Sequence, residues 1–381
     1  MKKLFINFSI SLFSVILVLV AISIFLRYTH LFGARLSFST PDEEVVYRFV
    51  PHKRYWNFKE NDHPITGRFN RFGWRDTEWA LEKPMGEYRI AVLGDSFVES
   101  FQVECEKSFL NLAEKDLTGR SELRFELMNF GRASYAQTEE LIILEKEVLK
   151  FKPDMVMLFF LPGNDIADIS RETAPNTARP FFVFGSDGQL TFDNSFKDSP
   201  KFKIRKKINA LKQRSILFSL ITERFNSVLG QSAIKQAENN THKVSEGYLS
   251  LCTSRPGAAF TRSYKLSQLL IKQMAAICIA KDIKFVLVAA NTDAYKPKIE
   301  KRYKNIDPTF NPYFFEDDLK AFAQKIDIGF LGLQRPFYET YQKNGLDLHW
   351  GHWSYEGHKT VAKTIVRYLD DKVFGHVSGS S

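Results

Sequence analysis

Ser96, which follows Gly94-Asp95, and a C-terminal run with three of the chain's eight histidines are the residues best suited to chemistry. A serine hydroxyl is a weak nucleophile until a neutral imidazole takes its proton, and that imidazole needs a group to hold its other ring nitrogen. The run Gly345-Leu346-Asp347-Leu348-His349-Trp350-Gly351-His352-Trp353-Ser354-Tyr355-Glu356-Gly357-His358 offers both base and acid, with Asp347 the best carboxylate in it. No second cluster of His, Cys and carboxylate has ligand-like spacing, so the histidines point to a base, and no metal or other cofactor is expected. The chemistry such a pair performs is acyl transfer through a covalent serine intermediate, which also requires fixed donors around the developing oxyanion. Gly131, after Met128-Asn129-Phe130, can offer a backbone N–H, and Asn164, in Gly163-Asn164-Asp165, a side-chain amide. Singly, each segment reads equally well as an ordinary turn. The case rests on the set.

What unites the set is where the secondary structure must put it. Arg89 to Leu93 is a short apolar strand ending at Gly94, Phe125 to Phe130 a second ending at Gly131, and Met155 to Leu161 a third, apolar throughout as befits a strand covered on both faces. Helical patterns follow the first two strands, at 107–118 and 137–151. The alternation breaks over 168–262, then resumes with a helix at 264–281, a strand from Lys284 to Ala290, a weaker strand near Gly329 to Leu333, and a last helix from Tyr355 to Val373. Strands alternating with helices predict a parallel sheet covered on both sides, with the interruption inserted after the third strand. In such a sheet the carboxyl ends of the strands converge, so Ser96, Gly131 and Asn164 meet at one edge. Residues 28–86 read as a lead-in region wrapped on this domain, and 375–381 as a flexible tail.

Gly94-Asp95-Ser96, Gly131, Asn164 and the final histidine block, in this order, resemble the four blocks of the SGNH/GDSL hydrolase superfamily over roughly residues 87–374. The resemblance implies a three-layer α/β/α, flavodoxin-like domain with a five-stranded parallel sheet in the order 2-1-3-4-5. It implies Ser96 as nucleophile, an oxyanion hole made by Gly131, Asn164 and the Ser96 N–H, and a histidine base from the last block. Phe97 stands where the family name has leucine. The family usually carries its aspartate three residues before the catalytic histidine, but three residues after Asp347 stands Trp350. The ending His352-Trp353-Ser354-Tyr355-Glu356-Gly357-His358 favours His352 as base, with Asp347 five residues upstream; His349 paired with Asp347 is the other alignment, and a Ser–His dyad a third arrangement. His358 falls inside the last helix and reads as a packing or surface residue. The segment Asn70-Arg71-Phe72-Gly73-Trp74-Arg75-Asp76 resembles membrane-anchored bacterial members associated with extracellular polysaccharide. The expected function is that of a serine esterase acting on an O-acyl, chiefly acetyl, ester of an extracytoplasmic carbohydrate. An O-acyltransferase using the same residues, and a non-catalytic polysaccharide-binding or assembly protein on the same fold, are the alternatives.

The rest of the composition bounds the setting. Residues 4–26 carry no charge, follow Lys2 and Lys3, and are long enough to cross a hydrocarbon layer of about 30 Å. No Ala-x-Ala cleavage site follows, so the run reads as an uncleaved signal-anchor with the large domain translocated to the periplasm or cell surface. The net charge of +9 is concentrated in Lys201, Lys203, Arg205, Lys206, Lys207, Lys212 and Arg214, with no acid among them. One basic run without a recognition fold does not make a nucleic-acid binder; a solvated helix face, or contact with anionic headgroups or an acidic polymer, fits it better. Cys105, Cys252 and Cys278 are too scattered for a disulfide framework.

Overall fold

The computed structural model describes residues 2–29, 31, 35–57, 60–185, 188–226 and 257–372. The sequence expectations for Cys252, the 227–256 part of the insertion and the 375–381 tail lie outside these residues.

The centre is a sheet of five parallel strands: β5 (Glu87–Gly94), β6 (Arg124–Gly131), β7 (Met155–Phe160), β10 (Lys284–Ala289) and β11 (Gly329–Gly332), ordered β11-β10-β7-β5-β6. This is the expected 2-1-3-4-5 order. Register pairs Gly94 with Gly131, Leu93 with Leu158, and Ala289 with both Phe160 and Gly332, which brings the carboxyl ends level. β7 is buried at every position, because it lies mid-sheet with helices on both faces.

Alternation along the strands sorts side chains into two cores. On one face Ala91, Leu93, Val156, Leu158 and Leu287 pack against Leu141 and Leu144 of α4 (Gln137–Lys146), Leu270 and Met274 of α7 (Ala258–Ile279) and Leu319 of α9 (Phe314–Lys325). On the other, Ile90, Val92, Met157 and Val288 meet Leu110 and Leu117 of α3 (Phe109–Arg120), Phe337 of α10 (Gln334–Asn344), and Val361 and Ile365 of α11 (Tyr355–Lys372). Each fully buried aliphatic or aromatic side chain contributes roughly 1.5–3 kcal/mol, so the sheet edge is a rigid platform.

Two short antiparallel pairs precede the sheet, β1 (Ser39–Pro41) with β2 (Tyr47–Phe49) and β3 (Arg54–Asn57) with β4 (Ile65–Arg68). The Asn70–Asp76 segment ties this region to the domain. Asn70 Oδ1 accepts the Phe72 and Trp74 N–H groups, the Trp74 ring is buried in the first core, and buried Arg75 donates to the carbonyls of Glu99 and Val103. Asp76 accepts the Asn129 N–H at 2.8 Å, and burial pushes its carboxyl up to about 7. Between β7 and β10 the chain adds α5 (Pro162–Asp168), the hairpin β8 (Phe181–Phe184)–β9 (Leu190–Asp193), α6 (Pro200–Arg214) and a helical stretch over 216–226. At the N-terminus α1 (Lys2–Thr29) carries the apolar run, almost wholly exposed.

Candidate active site

The turn after β5 starts α2 (Ser96–Glu99), a single helical turn capped by Asp95, whose Oδ1 accepts the Phe97 N–H at 2.9 Å. Ser96 is the first residue of that turn. Its N–H is therefore one of the amides that a helix leaves without an intrahelical partner, at the positive end of the turn.

His352 reaches Ser96 from the loop before α11, with Nε2 2.8 Å from the Ser96 Oγ. That loop is pinned from below. Trp353 is fully buried, with its Nε1 donating to Asn291 at 2.8 Å, and its ring lies against Phe97, which in turn contacts the His352 imidazole. The Trp350 N–H donates to the His352 carbonyl at 2.8 Å and closes the turn.

The carboxylate on His352 is that of Glu60, which the sequence reading missed. Glu60 oxygens lie 2.9 Å from His352 Nδ1, and Oε2 also accepts the His352 backbone N–H at 3.0 Å. Two donors from one residue fix both the ring and the loop. Gly351 makes room for this: its φ of 142° suits glycine, and a side-chain carbon there would lie 3.1 Å from the Glu60 carboxyl carbon. Burial alone would depress the His352 pKa. The Glu60 carboxylate outweighs it, aided by the charges of Asp95 and Glu99, and the pKa sits above the ordinary histidine value.

Asp347, the expected acid, faces elsewhere. It binds Lys296 Nζ at 2.8 Å, accepts the Tyr295 hydroxyl at 3.3 Å and caps the His349 N–H at 3.1 Å. Burial opposes ionisation, but Lys296 holds its carboxyl below the usual value. The geometry corrects the assignment. A side chain pointing back to Lys296 cannot hold an imidazole whose Nδ1 is already engaged by Glu60. His349 is buried between Tyr295, whose hydroxyl lies 3.1 Å from its Nδ1, and Asn291; burial first, then the Lys296 charge, push its pKa down to about 3. It stays a neutral packing group. His358 is completely buried, accepts the Phe109 N–H at 3.2 Å, meets Gln102 at 3.0 Å, and is likewise pushed down to about 3, chiefly by burial.

Asn164 lies in the first turn of α5 and is exposed at the edge of the sheet. Its Nδ2 donates to Asp95 Oδ2 at 2.8 Å, so one carboxylate caps α2 and orients this amide. An amide nitrogen carries two protons, and the second remains for a ligand. Gly131 does not join them. Its N–H donates to Asn129 Oδ1 at 2.9 Å, and a Cβ on it would lie 2.5 Å from the Glu99 nitrogen. The glycine is required by the close approach of α2, which corrects its expected place in the oxyanion hole. Glu99, the last residue of α2, is pushed up to about 7 by burial despite Arg132 nearby.

Among the described residues no group of three or more His, Cys, Asp or Glu side chains is arranged to hold a metal ion. The site as built can take a proton from a serine, hold the resulting imidazolium, and offer the Ser96 N–H and the Asn164 amide to an oxyanion.

Compared with solved structures, the chain matches a lipolytic protein of the G-D-S-L family from Desulfitobacterium hafniense at 15% identity, over 74% of this chain and 99% of that one, with a TM-score of 0.37. A catalytic mutant of an acetylxylan esterase from Geobacillus stearothermophilus matches at 12% identity, over 74% and 94% of the two chains, with a TM-score of 0.39. A lipase/acylhydrolase from Enterococcus faecalis matches at 14%, over 74% and 95%, with a TM-score of 0.38. No family model matches the chain, and no curated relative does.

Proposed function

We propose that this chain is a serine esterase that works through an acyl-Ser96 intermediate. The carrying observation is the relay Ser96 Oγ to His352 Nε2 at 2.8 Å and His352 Nδ1 to Glu60 at 2.9 Å. Ser96 Oγ attacks the ester carbonyl while its proton passes to His352 Nε2, and the oxyanion is met by the Ser96 N–H and Asn164 Nδ2. Collapse breaks the ester C–O bond, and His352 returns the proton to the leaving alcohol. A water then gives its proton to His352 and attacks the acyl carbon; the bond from that carbon to Ser96 Oγ breaks, His352 returns the proton to Oγ, and the carboxylic acid leaves. Glu60 keeps the imidazole in the tautomer with Nδ1 protonated and stabilises the imidazolium.

The substrate we assign is an O-acetylated carbohydrate outside the cytoplasm, with α1 as the membrane anchor. The resemblance of the Asn70–Asp76 segment and the length of the 4–26 run support this reading. The first half-reaction is the same in a transferase, where a sugar hydroxyl replaces water. Full-length protein in detergent, given acetyl, butyryl and octanoyl esters and then an acetylated oligosaccharide, tests the proposal. Release of free acetate with preference for the shortest acyl group is expected. Turnover of none of these esters, by a folded protein, would reject it.

A further inference from the structure

The basic run that the active site does not use is α6, and it packs directly behind the end of α1. The Ser37 N–H donates to the Lys212 carbonyl at 3.2 Å, Asn209 Nδ2 to Ser37 Oγ at 3.1 Å, and Gln213 Nε2 to the Ser39 carbonyl at 3.0 Å. Leu26, the one buried residue of α1, forms a small core with Ile216. Arg35 and Lys212 both face Glu223, at 3.7 and 3.9 Å. The helical pair 200–226 is thus seated on the chain where it leaves α1. The apolar run 4–26 makes about 34 Å of helix, a little more than the roughly 30 Å hydrocarbon layer. With α1 across a bilayer, Leu26 sits at the hydrocarbon boundary, and Ile216 beside it.

The outer face of this pair carries side chains that water does not favour. Ile204, Ile208 and Leu211 are 57%, 41% and 51% exposed, and their spacing of four and three residues puts them on one stripe. Ile221 and Phe225, also four apart, are 58% and 64% exposed. Exposed Lys201 and Lys207 lie on either side of the first stripe, with Arg214 beyond, where long stems can lift their charges to headgroup level. An apolar stripe bordered by lysines is the pattern of a helix lying in a membrane interface.

We propose that α6 and the 216–226 stretch lie in the headgroup layer of the bilayer that α1 crosses, with the apolar stripe toward the acyl chains and the lysines on anionic lipid. The proposal rests on α1 being a membrane anchor. It makes the anchor and the interfacial helices one rigid seat, which holds the domain in a fixed orientation to the membrane.

The test uses full-length protein reconstituted into bilayers of phosphatidylcholine alone or mixed with phosphatidylglycerol, with brominated acyl chains as quencher. Ile208→Trp, at an exposed position, adds one reporter over the parent chain. Its emission should be blue-shifted and quenched by bromine, more strongly in the anionic mixture. Lys201→Gln with Lys207→Gln should lower the docked-to-undocked ratio in that mixture by about 25-fold, at about fivefold per lysine near an anionic surface. Retention in the bilayer after alkaline carbonate, with no quenching of the reporter, overturns this proposal alone. Release by carbonate overturns the anchor and this proposal with it. Binding of soluble alginate to the reconstituted chain, without quenching, assigns the face to a polyanion instead and also overturns it.

Discussion

Glu60→Gln isolates the part of the site that lies outside the resemblance. The substitution keeps the shape of the side chain and removes its charge. In the native protein the carboxylate takes two hydrogen bonds from His352, from Nδ1 at 2.9 Å and from the backbone N–H at 3.0 Å. An amide oxygen in the place of Oε2, which lies 2.9 Å from Nδ1 and 3.0 Å from the backbone N–H, can still accept both, so the substitution chiefly removes the negative charge. An opposite charge about 4 Å away is worth about 4 kcal/mol at an effective dielectric constant of 20. The two side chains are 30% and 24% exposed, so solvent screens part of this. A loss of roughly 2–3 kcal/mol in stabilising the imidazolium corresponds to about 30- to 150-fold in turnover. The pH profile separates this from a packing defect. Neutral His352 is the active form, and its pKa is raised in the native site, so activity should climb with pH through a value above that of ordinary histidine. Without the carboxylate, the acid limb should move to lower pH, and the deficit should be largest above the native pKa. Initial rates of ester hydrolysis across the pH range measure both. Native turnover with an unmoved limb in Glu60→Gln, beside a large loss in Asp347→Asn, would return the acid to Asp347.

Asn164→Ala should cost about 10²–10³ in turnover, on the order of 2.7–4 kcal/mol, with a much smaller change in KM; a weakened KM at native turnover would make it a binding residue. His352→Ala should lose nearly as much activity as Ser96→Ala, and the double variant little more, because the two act as one unit. His349→Ala should keep most of the activity but lower the melting temperature, since it empties a packed position between Tyr295 and Phe337. Gly131→Ala should destabilise the fold by about 1–3 kcal/mol through contact with the α2 backbone; unchanged stability with lost turnover would restore Gly131 to the oxyanion hole.

The fold was legible because its signals are local. The apolar run at β7, the strand–glycine junctions at Gly94 and Gly131, and the helical periods between them fix a doubly covered parallel sheet, and Ser96 and Asn164 follow from their places on its edge. The four strands of the lead-in region and the three helices Pro297–Ile306, Phe314–Lys325 and Gln334–Asn344 escaped, since they are short or lack clear periodicity. Glu60 escaped for another reason. It comes from a turn 292 positions before His352, in a segment with no motif, at a positive φ that nothing in its neighbours demands. The only sign was negative: three residues before His352 stands His349, so the carboxylate usual at that spacing is missing. Gly131 was misplaced because a glycine at a strand end serves close packing as readily as it serves an oxyanion. Which of the two applies depends on where its N–H points, and here Asn129 takes it.

The central claim is a nucleophilic Ser96 activated by His352. Labelling full-length protein with a fluorophosphonate, then locating the adduct by peptide mass spectrometry, tests it most directly. A single stoichiometric adduct on Ser96 is expected, absent when the protein is unfolded before the reagent is added and formed more slowly by orders of magnitude in His352→Ala. An adduct on another residue, or labelling of Ser96 at the same rate without His352, would contradict it.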